Sequence, residues 1–285
     1  MGYARPRRLD EALALLAERP WKVLAGGTDL FAGTSRPALA GDVLDITAIP
    51  ELRGISDGTR ELRIGAALSW AELVRAALPP AFDGLKAAAR EVGSVQIQNT
   101  ATVGGNLCNA SPAADGAPPL LTLDAEVELA SARGTRRLPL GGFLAGPRRT
   151  RLERDELLTA ILVPSAACAG RSAFLKLGAR RYLVISIAMA AARLVLSEGR
   201  VREAAIAVGA CSPVATRLPA IEAALAGLPA DRSLAAAIDD AAVARSLAPI
   251  DDVRADAAYR RRAAAELVRR AVAAALPGDA LGRAA

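Results

Sequence analysis

The segment from Thr100 to Asp115, reading TATVGGNLCNASPAAD, concentrates more usable chemistry than any other stretch of the chain. A Gly104-Gly105 pair stands among Thr100, Thr102, Asn106, Asn109, Ser111 and Asp115, which offer donors and acceptors at short intervals. The glycine pair reads as a turn and the segment ends in a proline-punctuated loop rather than in a helical or strand pattern, the kind of surface a diphosphate requires. A second site of the same type lies nearer the N-terminus. There Lys22-Val23-Leu24 reads as a short buried strand running into Ala25-Gly26-Gly27-Thr28-Asp29-Leu30. Positive φ is expected at Gly26 and Gly27, making a concave nest of amides, and likewise at Gly105. Neither site is a P-loop, because the Lys and Ser/Thr required after the second glycine are missing, and no G-x-G-x-x-G opens a helix.

What is missing narrows the chemistry further. The chain has no histidine, which removes Ser-His-Asp and Cys-His catalysis and His-based metal sites. Cys108, Cys168 and Cys211 are far apart and form no C-x-x-C pair, so neither a zinc nor an iron-sulfur signal is present. Cys168 and Cys211 read as small apolar residues, buried or half-buried. The formal charge of +6 comes mostly from arginine, in separate clusters at Arg148-Arg149-Thr150-Arg151, Arg180-Arg181 and Arg260-Arg261-Arg262. With aromatics at only 3%, stacking platforms for nucleic acid are lacking, and the clusters read as solvated faces and docking patches for partner subunits. The longest uncharged apolar run, Tyr182 to Ala192, is well short of the roughly 20 residues of a membrane span, and Met1 to Pro6 carry no apolar signal segment. A cytoplasmic protein is expected.

The elements that must position these residues follow from periodicity. Leu9 to Ala17 has helical spacing, and Ser69 with Glu72 three residues later forms a capping box before Leu73-Val74. Phe82 to Val92 reads as a helix, and Leu120 to Ala130 as strand-like, with alternation at Val127 and Leu129. A domain junction is expected near Pro164 to Arg171. Beyond it, strands at Ile185 to Leu196 and Val201 to Val208 bracket the turn Ser197-Glu198-Gly199-Arg200, and helices follow at Ile221 to Ala226 and Ala257 to Ala275. Strands followed by helices suggest a small α+β domain. At 285 residues and 52% hydrophobic content the chain can bury a full core, built mainly of Ala, Leu, Val and Ile.

AGGTDL, TVGGNLCNASPAAD, GPRRTRLERDELL (Gly146 to Leu158), FLKLGARRYLVISIAMAAARL (Phe174 to Leu194) and the closing Asp251-Asp252-Val253-Arg254 with Ala258-Tyr259-Arg260-Arg261 stand in a characteristic order. In that order the chain resembles the FAD-binding medium subunits of molybdenum hydroxylases, the family of xanthine dehydrogenase and aerobic carbon monoxide dehydrogenase. The resemblance covers nearly the whole chain. It implies an α+β fold: a bipartite FAD-binding domain of the PCMH, vanillyl-alcohol-oxidase-like type over 1–168, split near 55, then a small α+β domain over 169–280 of the carbon monoxide dehydrogenase flavoprotein type.

The resemblance also implies roles. Lys22, Val23, Leu24, Ala25, Gly26, Gly27, Thr28, Asp29 and Leu30 would wrap the FAD diphosphate with backbone amides, Thr28 adding a hydroxyl bond, while Asp29 could equally be a turn acceptor. Thr102, Gly104, Gly105 and Asn106 would contact diphosphate and ribityl groups, and Asp115 would accept bonds from sugar or ribityl hydroxyls. Cys108 would lie near the flavin ring or merely pack. Leu158 would pack on the isoalloxazine or serve as strand core. Lys176 would favour the anionic reduced flavin, its alternative being an ordinary solvated lysine. FAD would bind non-covalently, since a histidyl link is impossible, although a cysteinyl link is left open by composition. No residue is assigned a catalytic acid-base or metal role.

The implied function is electron transfer. A molybdopterin-binding large subunit oxidises substrate, a two-iron two-sulfur small subunit passes electrons, and this chain's FAD delivers them to NAD, oxygen or another acceptor, within a dimer of heterotrimers. Molybdopterin and iron-sulfur clusters are expected only on the partners. A self-contained flavin oxidase or reductase, and a cofactor-free assembly subunit, are the alternatives; the intact glycine pairs speak against the second.

Overall fold

The computed structural model describes residues 2–35 and 39–278; the expected end of the second domain at 280 lies outside the described residues. The helix Leu9–Glu18 buries Ala12 and Leu16 against a three-stranded parallel sheet in which Val43–Asp45 lies between Tyr3–Ala4 and Lys22–Leu24. Ile46, Ile49 and Leu52 complete this small core. Lys22–Leu24 is a strand as its sequence predicts, but an edge strand and largely exposed: Lys22 and Val23 face outward and Leu24 is half-buried. The chain leaves its C-terminal end directly into the glycine turn.

A five-stranded antiparallel sheet follows in the order Ile55–Asp57, Glu61–Gly65, Leu157–Pro164, Glu126–Ser131, Gly134–Pro139. Its central strand Leu157–Pro164 is buried at seven of eight positions, which is why it reads as a continuous apolar run rather than an alternating one. The capping box is present: Ser69 Oγ accepts from the Glu72 amide, the Glu72 carboxylate accepts from the Ser69 amide, and the helix Trp70–Arg75 buries Trp70 and Leu73. Asp83–Glu91 is helical as expected.

Two expectations fail here. The second glycine pair is not a turn, although the segment does end in irregular chain over 110–115: Val95–Thr100 and Val103–Asn109 are short helices, each N-capped by a hydroxyl, Ser94 to the Ile97 amide and Thr102 to the Gly105 amide. Capping and anchoring of the amides outweigh the poor helix propensity of two glycines. Likewise the stretch 120–130 is not one strand. Ala117–Thr122 is a helix opened by Pro118 and Pro119, which are tolerated where the amides are orphans anyway, and the strand is Glu126–Ser131.

The C-terminal part is a four-stranded antiparallel sheet, Arg171–Leu177, Ala188–Ser197, Arg200–Gly209 and Thr216–Arg217, covered by the helix Ala257–Ala275. The long hairpin turns at Glu198 and Gly199, both at positive φ. Alanines dominate the contact: Ala188, Ala190 and Ala192 on the sheet, and Ala264, Ala265, Ala271 and Ala275 on the helix, are all buried. Arg260 departs from the reading of its cluster as a solvated face. It is 2% exposed and donates to the carbonyls of Ile187 and Ala210 and to Asp252, tying the last helix to the sheet.

Polar bonds join this part to the rest. Ser172 Oγ donates to the Ala81 carbonyl and accepts from the Gly84 amide. Arg193, 1% exposed, donates to the Thr122 carbonyl and lies beside Asp124 and Glu203, and Arg217 donates to the Leu121 carbonyl and Asp124.

Candidate functional site

The turn after Lys22–Leu24 has Gly27 at φ +71°, a conformation that costs any residue with a Cβ roughly 1–2 kcal/mol. Gly26 has ordinary φ, contrary to expectation, and is glycine for another reason. A Cβ placed on it would stand 2.1 Å from the Thr100 carbonyl oxygen and 2.8 Å from Ala101 Cα. The first glycine turn therefore lies directly against the chain entering the second. Among the described residues, the amides of Gly26, Gly27, Thr28, Asp29 and Leu30 donate to no protein acceptor, while the carbonyls of Gly27 and Asp29 accept from Phe31 and Gly33. Such a run of unclaimed N–H groups is an anion-binding surface.

The second segment works differently from its sequence reading. Val103 N–H donates to the Leu68 carbonyl, Gly104 N–H to Ala66, Gly105 N–H to Thr102 Oγ1 and Asn106 N–H to the Thr102 carbonyl. Its amides are already committed, and Gly105 has helical rather than positive φ. Gly104 is small because a Cβ there would meet Ala66 at 2.7 Å. This segment can meet a ligand through side chains: the Thr102 hydroxyl, which accepts from Gly105 and keeps its own proton to donate, and the Asn106 amide. Two buried side-chain polar atoms lack a partner among the described residues, Asn106 Oδ1 and Trp70 Nε1.

Between the two segments is a cleft of about 490 Å³. Of the expected residues, Val23, Ala25, Gly26, Gly27, Thr28, Asp29, Leu30, Thr102, Gly104, Gly105, Asn106, Cys108 and Leu158 line it. Leu158 is core of the central strand and also lines the cleft. Cys108 is half-buried among apolar groups, and burial pushes its thiol up to about 12, so it stays protonated and unreactive at neutral pH. A polar lobe of about 360 Å³, bearing Arg53, Glu72 and Arg75, adjoins the cleft at Ala25, Gly26 and Thr102.

Lys22, Leu24, Asp115 and Lys176 are not in the cleft wall. Leu24 backs the turn: its side chain would stand 3.1 Å from a Cβ on Gly27. Lys176 is no solvated lysine. Its ammonium lies 2.9 Å from Asp115, with both side chains at most 10% exposed, and Ser186 Oγ donates to the other carboxylate oxygen at 3.1 Å. Burial pushes the Asp115 carboxyl above the usual range, against the opposing pull of Lys176 and Ser186.

Sequence reasoning missed several wall residues. Ile46, Trp70, Val92, Ile97 and Leu152 make an apolar lining, and none carries a local signal, since only the fold brings them together. Arg148 is another omission. Held at φ +58°, it donates to Asn109 Oδ1 and lies 4.0 Å from Asp29, placing a cation beside two residues of the wall. Its signal was the Gly146-Pro147 pair, which marks the turn at Pro147-Arg148.

A surface of free amides, a hydroxyl, an amide side chain and an apolar wall matches a dinucleotide with an apolar ring system, and orphaned Trp70 Nε1 and Asn106 Oδ1 give a polar ligand or its ordering something to satisfy. The comparisons agree. Residues 1–166 match the family described as FAD binding domain in molybdopterin dehydrogenase, and residues 173–275 the CO dehydrogenase flavoprotein C-terminal domain. The chain is 35% identical over 266 residues to the putative xanthine dehydrogenase FAD-binding subunit of Escherichia coli K12, covering 91% of this chain and 90% of that one. It is 32% identical over 277 residues to the carbon monoxide dehydrogenase medium chain of Hydrogenophaga pseudoflava, covering 96% of each. Among solved structures it is similar to reconstituted CO dehydrogenase from Oligotropha carboxidovorans, with a TM-score of 0.88 at 28% identity over 96% of this chain and 97% of that one. The architecture and the matches together make the chain an oxidoreductase subunit of the molybdopterin dehydrogenase family, carrying that family's FAD-binding domain followed by its flavoprotein C-terminal domain.

Proposed function

We propose that the chain is the electron-exit subunit of a multi-subunit molybdenum hydroxylase, with FAD in the cleft between the two glycine segments. The observation that carries this reading is the run of five unclaimed amides from Gly26 to Leu30, held against Thr100 and facing an apolar wall. These amides hold the diphosphate, with the Thr102 hydroxyl and Asn106 amide as further donors. Leu158 and Cys108 face the apolar portions of the dinucleotide. Asp115 and Lys176 act from outside the wall, as a buried ion pair that fixes the C-terminal part against the cleft. Bound FAD supplies the exchange between one-electron carriers and a two-electron acceptor.

The protein's own contribution is position, charge and exclusion of water. Non-covalent binding belongs to this reading, because the chain has no histidine for a histidyl link and burial raises the pKa of the Cys108 thiol in the cleft wall. Electrons arrive from a two-iron two-sulfur subunit, originate at a molybdopterin subunit and leave to NAD, oxygen or another acceptor, in a cytoplasmic dimer of heterotrimers. The division of the chain at 168 and near 55 belongs to the same reading. Support for the assembly comes from relatives that are themselves named as FAD-binding subunits or medium chains.

Stopped-flow absorbance tests this. The isolated chain with FAD shows at most weak NADH-dependent reduction, and the organic substrate reduces its flavin only when both partner subunits are present. Rapid reduction by substrate in the isolated chain would overturn it.

A further inference from the structure

Trp70 and Asn106 hold the two buried side-chain polar atoms without a partner among the described residues, and one is a donor while the other is an acceptor. Both pack on the same spot. A Cβ placed on Gly116 would stand 2.5 Å from Trp70 Cη2 and 3.0 Å from Asn106 Oδ1, so this glycine leaves room for the indole and the amide side by side. Trp70 is fully buried at the back of the cleft wall, fixed by its place at the start of the capped helix Trp70–Arg75 and by the hydrogen bond its backbone N–H donates to the Ala101 carbonyl. Asn106 is half-buried and lies in the cleft wall, two residues past Gly104. An indole is a donor only, and a carboxamide oxygen an acceptor only.

We propose that Trp70 is a positioning residue for Asn106. On filling of the cleft the indole N–H donates to Asn106 Oδ1, which turns the Asn106 NH₂ toward the ligand and sets it to donate to a phosphate or hydroxyl oxygen. Burying a donor and an acceptor unpaired is unfavourable, and one rearrangement of the half-buried Asn106 side chain satisfies both. Ligand binding and this internal bond are then linked, each favouring the other. The inference rests on the reading of the cleft as the FAD site.

The chain has two tryptophans, and the other, Trp21, donates its indole N–H to the Leu15 carbonyl. In the ¹⁵N-labelled full-length chain the indole region therefore holds two signals, assigned with Trp70→Phe. Adding FAD is expected to move the Trp70 signal downfield and slow its solvent exchange while Trp21 stays put. Trp70→Phe is expected to weaken FAD binding about three- to tenfold, as loss of one hydrogen bond implies. In an Asn106→Ala background the same substitution is expected to have no further effect, since Trp70 acts through Asn106. A Trp70 signal unmoved by saturating FAD, or an undiminished effect of Trp70→Phe in the Asn106→Ala background, overturns the proposal while leaving the FAD site intact. Failure of the wild-type chain to bind FAD overturns both.

Discussion

Gly26→Ala isolates the feature on which the cleft depends. The added Cβ would lie 2.1 Å from the Thr100 carbonyl oxygen and 2.7 Å from its carbon, so the two segments must separate by about 1 Å to reach ordinary contact. Overpacking of this kind costs about 1–3 kcal/mol. On the proposed placement of FAD the ligand would hold both segments in their present relation, so the cost would fall on the complex, and a proportional loss of affinity is about 5- to 150-fold. Gly142→Ala is the control. A Cβ there has nothing within 4 Å and φ is not positive, so FAD binding should be unchanged and stability equal or raised by about 0.4–1 kcal/mol. Flavin fluorescence titration gives the affinities and thermal unfolding without FAD gives the stabilities. FAD binding by Gly26→Ala within twofold of wild type would show that the contact with Thr100 does not set the cleft, and the reasoning would fail.

Lys176→Met leaves Asp115 buried beside Ser186 alone and should lower stability by about 3–5 kcal/mol near neutral pH. Because burial raises the Asp115 carboxyl, a charged Asp115 weighs against folding more as pH rises, so the loss should be smaller at pH 5 than at pH 8 in urea denaturation; an equal loss at both would refute this. The hydrogen bond from Arg136 holds the Glu156 carboxyl below the usual range despite burial. Its contribution is therefore complete above the unfolded value of about 4.3 and disappears as pH falls through the lower folded value, so Glu156→Gln should flatten part of the acid limb. At pH 7 the same change should cost about 1–2 kcal/mol, the modest figure reflecting solvent around Arg136. Acid precipitation of the loaded chain should leave all flavin in the supernatant; flavin on the pellet would show a covalent bond.

The helix Ala257–Ala275 was legible to the residue because an Ala, Leu and Val face runs from Ala264 to Ala275 opposite a charged arginine face. The Ser69 capping box and the hairpin turn at Glu198-Gly199 were equally local signals. The short helix Val103–Asn109 was not legible, since its glycines and asparagines argue for a loop and the groups that anchor it, Ala66 and Leu68, are far away in sequence. The same holds for the site. Gly27 announced its positive φ, but the need for Gly26 and Gly104 to be small depends on Thr100 and Ala66, which only folding brings near. Arg260 misled because a buried arginine and a solvated one look alike in a run of three.

The polar bonds between the two parts of the chain have a consequence for recombination among relatives. The stretch from Pro164 to Gly170, with proline, glycine and small residues, is the natural crossover point for a chimaera of two homologues. Asp115 lies on one side of it and Lys176 and Ser186 on the other; Asp124 and the Leu121 and Thr122 carbonyls face Arg193 and Arg217 in the same way. A crossover there takes acceptors from one parent and donors from the other. Such a chimaera folds well only where both parents carry the same pairs, so the boundary that is easiest to cut in sequence is one across which specific residues must be inherited together.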